Sequence, residues 1–219
     1  VCMSQRSIDL VALFKYSYNQ YARYASFVIG AMLTYVVLAM VPQVYLSLNT
    51  PQNPTTTQQF VSVFVMLLQA FLGLGFTKIM LLLVQDAYVE VADMFNNFSR
   101  FLSYFVANFL YGVGIIVGTI LLVLPGIWVA IRFQFYPYFI IEENVSSFTA
   151  LKMSYDLTEG LLKELFFLGL AVVLLNVVGI FLFGVGIIFT YPLTTMATAV
   201  VYKSLTAGES SIPSPDYRP

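Results

Sequence analysis

The stretch from Leu124 to Glu143 reads LPGIWVAIRFQFYPYFIIEE, and it decides the fold. It is almost wholly apolar, opens on Pro125-Gly126 and ends on two glutamates. Proline and glycine interrupt a helix easily, so the pair predicts a tight turn. The residues after the turn form a run close to the roughly 20 residues that a helix needs to cross a bilayer. One arginine, Arg132, lies inside this run.

The composition of the chain indicates the same environment. Of its 219 residues, 59% are hydrophobic and 10% are charged. A soluble domain of this size cannot bury so much apolar surface, so we expect lipid to be part of the solvent. The net charge of −1 excludes a broadly basic nucleic-acid-binding protein. The chain has no histidine and a single cysteine, Cys2, which removes common metal ligands and the commonest general base.

Apolar runs predict an all-α, polytopic membrane protein with six transmembrane helices. Two runs are single crossings, and two longer runs hold two crossings each, broken at Pro125-Gly126 and around residues 184–186. Each break leaves a short turn, so each pair is predicted to be an antiparallel hairpin. The four runs are 24–48, 60–84, 101–141 and 161–201.

The distribution of positive charge predicts the orientation. The first, third and fifth connections carry no charge, so the positive-inside rule makes the other connections and both termini cytoplasmic. The start of the chain lacks the features of a cleavable leader, and no signal peptide is expected. The lysines and arginines outside the spans are Arg6, Lys15, Arg23, Arg100, Lys152, Lys163, Lys203 and Arg218.

Three cytoplasmic segments, 7–23, 93–101 and 147–159, begin at a capping residue and carry apolar residues at helical spacing. They are predicted either to be interfacial helices or to be the cytoplasmic starts of the spans. The third is expected to present an apolar face made of Phe148, Leu151 and Tyr155, with Leu157 or Thr158.

The same segments resemble one another, which predicts three parallel repeats of an interfacial helix and a helical hairpin. Residues 14–19, FKYSYN, match residues 151–156, LKMSYD, and one offset places Gly126 on Gly186. Because the interfacial helices lie on one side, the repeats are related by an axis near the membrane normal. The repeats cover about 7–86, 87–145 and 146–205, in one transmembrane domain, 1–206, followed by a flexible cytoplasmic tail, 207–219.

Nearly the whole chain resembles a known family, through residues 72–98, 121–160 and 184–205. These pieces are similar to a family of uncharacterised bacterial six-span integral membrane proteins. That family is related to the membrane domain of glycerophosphoryl diester phosphodiesterases. The resemblance implies a multi-pass protein of the bacterial cytoplasmic (inner) membrane, without phosphodiesterase activity, since the catalytic barrel has no counterpart here. Its most specific elements are Pro125-Gly126-Ile127 with Arg132 downstream, then Glu142 and Ala150-Leu151-Lys152-x-Ser154.

Arg132 is the sharpest candidate for a binding residue. An arginine deep in a span costs about 2.5–3.5 kcal/mol on insertion scales, so we expect it to face the bundle, a polar cavity or the interface. Its planar fork fits a lipid phosphate. Alternatively, it bonds helix carbonyls at a break, or an amide such as Asn108 or Asn176.

Lys78 and Glu142 are the other two possible lipid or polar anchors. Lys78 either extends to the cytoplasmic headgroups, lines a pathway or pairs with a carboxylate. Glu142 and Glu143 point about 100° apart on a helix and do not converge for acid–base chemistry. Glu142 is expected to end a solvated helix, or to form a salt bridge with Lys152 or Arg100.

The remaining polar residues of the spans and interface are assigned to packing and orientation. The interfacial basic residues are expected to orient the protein more than to select lipids. They are Lys15, Arg23, Arg100, Lys152 and Lys163. The amides within spans are expected to make packing contacts, and they are Gln69, Asn108, Gln134 and Asn176. Kinks are expected at Pro137 and Pro192.

Two functions are consistent with these residues. The first is a non-enzymatic integral membrane protein, an accessory or scaffold subunit of a larger membrane complex or a protein of membrane homeostasis, with membrane lipids and other subunits as partners. The alternative is a protein that binds or transports phospholipid or a glycerophosphodiester, with Arg132 as the headgroup anchor. No catalytic residue, cofactor or metal site is predicted.

Overall fold

The computed structural model describes residues 9–49, 55–182 and 185–208, and these ranges contain helices and no strand. The predicted all-α class is therefore confirmed for the described residues. A short 3-10 helix, Val91–Met94, precedes α4. The α-helices are α1 Leu10–Arg23, α2 Ala25–Asn49, α3 Thr56–Val84, α4 Phe98–Leu121, α5 Val123–Arg132, α6 Tyr136–Glu143, α7 Ser147–Leu157, α8 Leu162–Phe181 and α9 Ile187–Thr206.

Four of these helices, α2, α3, α4 and α8, are long and apolar enough to cross a membrane. This supports a multi-pass membrane protein, but it does not confirm six crossings or three repeats. The predicted fourth span is divided into α5 and α6, with 10 and 8 residues. The predicted sixth span, α9, has 20 residues but is rich in threonine and is less apolar than the other four.

Pro137 lies at the point where the predicted fourth span is divided into two helices. It lies in the first turn of α6, where its missing N–H costs nothing. In a continuous helix, its ring would clash with the carbonyl four residues earlier, at Phe133. The chain therefore leaves the helix after Arg132 and starts a new one at Tyr136. Pro192, by contrast, lies inside an uninterrupted α9.

The turn between α4 and α5 lies before the Pro-Gly pair. Leu122 is extended, with φ −166° and ψ 143°, and Pro125 and Gly126 already belong to α5. Packing requires glycine at both positions of this contact: a Cβ on Gly126 would lie 2.9 Å from the backbone nitrogen of Thr119, and a Cβ on Gly118 would lie 2.9 Å from that of Gly126. Glycine here lets the two helices of the hairpin touch. The tip of the α8–α9 hairpin includes residues outside the described ranges.

Two of the three predicted interfacial segments are helices of their own. In α1, the Asp9 carboxylate caps the start by accepting from the N–H groups of Val11 and Ala12. The predicted cap, Ser7, lies outside the described residues. In α7, Ser146 caps the start. The segment 93–101 is not a helix of its own: it contains the end of the 3-10 helix, a break and the first turn of α4, so only its last residues begin a long apolar helix.

The face of α7 that packs inward lies beside the predicted apolar face and consists of small residues. Ser147, Ala150 and Ser154 are buried, whereas Phe148 is 71% exposed and Tyr155 is 37% exposed. The small side chains face the core because α7 packs closely against α4 and α6. The predicted apolar face is thus divided, since Leu151 and Leu157 pack partly against the core whereas Phe148 does not.

The protein has a buried part, which we call the closed core. It consists of the second half of α3 (72–83), α6 and the second half of α9 (196–205), with α1 and α7 packed against them. The other part, which we call the outer helices, consists of α2, the first half of α3, α4, α5 and α8. Most of the exposed large apolar side chains lie on the outer helices.

Candidate functional site

Arg132 lies at the end of α5, where it is tied to the end of α7. Its side chain is 9% exposed, and its Nη1 donates to the carbonyl oxygen of Tyr155 at 3.2 Å. Its guanidinium carbon lies 4.5 Å from the ring centre of Tyr155 and 5.6 Å from that of Trp128. The last carbonyls of a helix carry partial negative charge, so α7 stabilises this cation.

Two hydroxyl groups, one within α7 and one at its C-terminal end, form hydrogen bonds with backbone groups at the break between α5 and α6. The Ser154 hydroxyl accepts from the N–H of Phe135 at 3.1 Å and donates to the carbonyl of Arg132 at 3.0 Å. The Thr158 hydroxyl donates to the same carbonyl at 3.3 Å. Unpaired backbone groups are costly in an apolar interior, so these bonds make the break tolerable. We call Arg132, Phe135, Ser154, Tyr155 and Thr158 the break cluster.

The break cluster decides between the predicted partners of Arg132. The side chain bonds a helix carbonyl beside a break, but the carbonyl belongs to α7. The amides that were the other predicted partners bond elsewhere: the Asn108 Oδ1 accepts from Tyr136, and the Asn176 Nδ2 donates to Val172 and Thr194. The sequence signal for Ser154 was its place in the family-like pattern, while nothing distinguished Thr158.

The guanidinium keeps some capacity for an anion. Its buried Nε makes no hydrogen bond within the described residues, although a guanidinium carries five N–H donors. The neighbouring side chain of Trp128 is 41% exposed, so the cluster lies close to the surface of the protein.

Glu142 is part of a contact that joins α3, α6 and α9. It accepts from the Nε2 of Gln85 at 2.6 Å and forms an ion pair with Lys203. The predicted partners, Lys152 and Arg100, were wrong, because the ends of these three helices meet on one side of the closed core. The side chain of Glu142 is 24% exposed, so this is a partly buried ion pair.

Lys78 is directed at the connection between α3 and α4. Its Nζ donates to the carbonyl oxygen of Asn96 at 3.4 Å. The connection follows α3 closely at this point, since a Cβ on Gly75 would lie 2.0 Å from the carbonyl oxygen of Met94. Lys78 therefore contacts neither Arg132 nor Glu142, and the three predicted anchors lie in three separate contacts.

The predicted interfacial basic residues have different environments. Arg23 pairs with Asp86 at 3.1 Å. Burial raises the pKa of the Tyr24 hydroxyl, and the hydrogen bond that Tyr24 donates to Asp86 raises it further. Arg100 is half-buried, with no partner for its Nε in the described ranges. Three side chains are exposed, namely those of Lys15, Lys152 and Lys163.

Comparison of the chain with protein-family models, with curated proteins and with solved structures finds no match.

Proposed function

We propose that this chain is a non-enzymatic integral membrane protein that serves as an accessory or scaffold subunit of a membrane complex. In this proposal the chain crosses the bacterial inner membrane six times, with α5–α6 and α9 completing the four long helices, and both termini are cytoplasmic. It is a member of the six-span family that it resembles, and its hairpins are related as parallel repeats.

The observation that carries this proposal is the position of the apolar surface. Side chains such as Tyr45, Phe60, Ile120 and Phe181 are 66–82% exposed on four helices that are long enough to span a membrane. Such a surface is stable only against lipid or against another membrane protein. The ionic and break contacts described above each link one helix to another, which is consistent with a structural role for them.

Native mass spectrometry of the protein, extracted mildly from its own membrane, tests the accessory role. A second polypeptide at fixed stoichiometry is the expected result, and its identity would assign the complex. A chain that carries only lipid would contradict the role as a subunit. The crossings are tested separately: a reactive tag at the C-terminus should be labelled only after the cells are permeabilised, and labelling of intact cells would contradict a cytoplasmic terminus.

The free Nε of Arg132 favours a second candidate function, the binding of a phospholipid or glycerophosphodiester headgroup. In this candidate the phosphate bonds the guanidinium beside Trp128. Purified wild-type protein would retain one phospholipid class, and Arg132→Gln would lose it. The matched control is Arg23→Gln, since Arg23 is also paired but its side chain is 63% exposed. Equal lipid retention by both variants would exclude Arg132 as the anchor.

A further inference from the structure

A cleft between α3 and α4 lies apart from the contacts of Arg132, Lys78 and Glu142. Its volume is about 340 Å³. Its walls are mainly apolar, but each wall carries one amide side chain, Gln69 on α3 and Asn108 on α4. The residues that line it are Met66, Gln69, Ala70, Phe105, Asn108 and Phe109.

Each of the two amides uses only part of its hydrogen-bonding capacity. The Gln69 Nε2 donates to the carbonyl of Ala39 at 3.0 Å, so its Oε1 is the end left as an acceptor. The Asn108 Oδ1 accepts from Tyr136 at 2.8 Å, so its Nδ2 is left as a donor. Within the described residues, neither of these two remaining atoms has a hydrogen bond. The cleft thus presents a donor on one wall and an acceptor on the other.

The position of Asn108 restricts what can satisfy these groups. At 1.5 Å per residue, Asn108 lies about 15 Å from Phe98 and about 20 Å from Leu121, near the middle of α4. If α4 crosses the membrane, as the proposed function has it, this is within the hydrocarbon layer. Phospholipid headgroups lie at the edges of that layer, and acyl chains form no hydrogen bonds. The partner must therefore be a polar side chain within the membrane.

The group that complements a facing donor and acceptor is a carboxamide, whose carbonyl accepts and whose NH₂ donates. The chain itself presents a carboxamide at this surface, because Asn108 is exposed on the wall of the cleft. A surface that offers the group it can bind is self-complementary, which is what a two-fold interface requires. We propose that α4 pairs with α4 of a second copy, and that each Asn108 reaches the cleft of the other copy.

The burial of α4 is consistent with this pairing. Ala107 and Gly118 are its only buried residues. A Cβ at Gly112, one turn after Asn108, would have no atom of the chain within 4 Å, so the backbone is open to a neighbour there. Small residues on an open face allow two membrane helices to approach closely, and interhelical amide bonds then stabilise the contact.

Cysteine crosslinking in proteoliposomes tests the pairing. The only cysteine, Cys2, is first replaced by serine. Ile116→Cys then places one thiol on the side of α4 that carries Asn108 and Gly112, and the matched control Val173→Cys places one on the exposed face of α8; these two residues are 60% and 57% exposed. On oxidation, the α4 thiol should give a covalent dimer and the α8 thiol should not. No dimer from α4, or equal yields at both positions, would overturn the pairing.

Variants of Asn108 and Tyr136 distinguish the proposed contact between two copies from the hydrogen bond within one copy. In the Ile116→Cys background, Asn108→Leu should lower the dimer association constant about 3- to 30-fold, as loss of interhelical hydrogen bonds in a membrane does. Tyr136→Phe removes only the internal bond of Asn108 and should leave dimerisation unchanged. Asn108→Gln, which keeps a carboxamide, should retain more of the dimer than Asn108→Leu. Equal dimerisation by Asn108→Leu and wild type would overturn the role of the amide.

The crossing of α4 is measured on the same cysteine. A thiol at position 116 within the hydrocarbon should resist a charged, water-soluble maleimide and react with an apolar one. Rapid reaction with the charged reagent would contradict the proposed crossing of α4. Slow reaction together with no covalent dimer would contradict only the pairing, so the two failures are distinguishable.

Discussion

In a soluble fold, the more apolar of two helices is usually the more deeply buried one. In this protein, helices α4 and α9 show the reverse. Of the 24 residues of α4, two are buried, whereas ten of the 20 residues of α9 are buried. Yet α4 has the apolarity of a membrane span and α9 does not. Apolarity here identifies contact with lipid, and burial inside the protein allows more polar residues.

The threonines of α9 show how a central helix can be polar. The hydroxyl of Thr195 donates to the carbonyl of Tyr191 at 2.8 Å, and that of Thr198 donates to the carbonyl of Thr194 at 2.9 Å. Each hydroxyl is satisfied by the preceding turn of its own helix, so it needs no partner elsewhere. Small, satisfied side chains let α1, α2, α3 and α8 all pack against α9.

The largest difference in stability between variants of the two helices is expected when an aromatic side chain is truncated. Tyr202 of α9 is 1% exposed and packs against Tyr138 and Phe139. Tyr202→Ala should lower the free energy of unfolding by about 3–5 kcal/mol, because truncating a packed aromatic leaves a cavity. Phe98 of α4 is 85% exposed, so Phe98→Ala should cost under about 1 kcal/mol, since solvent or lipid already fills the space around it.

Denaturant titration of both variants in detergent micelles, followed by circular dichroism, measures this difference. Equal losses of stability would mean that α4 is covered by protein as fully as α9. A loss at Phe98 that is present in proteoliposomes but absent for the monomer in detergent would instead locate a second interface on α4.

Two faces of α3 within the closed core can be compared by substituting two glycines. A Cβ at Gly75 would meet the backbone of Met94 at 2.0 Å, while a Cβ at Gly73 would have no atom within 4 Å. Gly75→Ala must displace the α3–α4 connection and should cost about 3 kcal/mol. Gly73→Ala should stabilise the helix by about 0.5–1 kcal/mol, because alanine loses less backbone freedom than glycine. Thermal unfolding of the two variants compares them directly, and similar midpoints would mean that the connection does not follow α3.

The sequence predicted the helices well and their contacts poorly. Composition and run length located α2, α3, α4 and α8, because crossing a membrane requires long apolar segments. They did not predict that α6 is divided from α5, or that α7 buries serine and alanine. Those features depend on which helix lies beside the break at Phe133–Phe135, and pairing between distant segments leaves no periodic signal in one sequence.

For the candidate sites, too, the sequence identified residues but not their partners. Arg132 was identifiable because a charge inside an apolar run is rare. Its partner, the carbonyl of Tyr155, was not, because every residue has a carbonyl and only the position of α7 selects this one. Glu142 was expected to end a solvated helix or to pair with Lys152 or Arg100, but its partner, Lys203, lies on α9. The sign of each charge limited the groups that could be its partner, but it did not identify which of them is the partner.

A smaller loss of stability is expected from a change in the break cluster, which joins an outer helix, α5, to the closed core. Ser154→Ala removes the hydroxyl that serves both Phe135 and Arg132, and it leaves a buried N–H without a partner. The expected loss in the free energy of unfolding is about 2 kcal/mol. Ser99→Ala is the control, since Ser99 is an exposed serine in the first turn of α4. A loss below that of Ser99→Ala would show that the break is satisfied without Ser154.

The smallest effect is expected at the exposed junction of α1 and α2. Arg23 and Asp86 form an ion pair whose side chains are 63% and 27% exposed. Arg23→Gln should cost under about 1 kcal/mol, because water screens a pair at the surface. The loss should shrink further in 1 M salt, where the Debye length falls to about 3 Å. Chemical unfolding of wild type and Arg23→Gln in urea at low and high salt checks this. A salt-independent loss above that value would mean that the arginine acts through packing on Tyr24, which its guanidinium overlies at 5.5 Å.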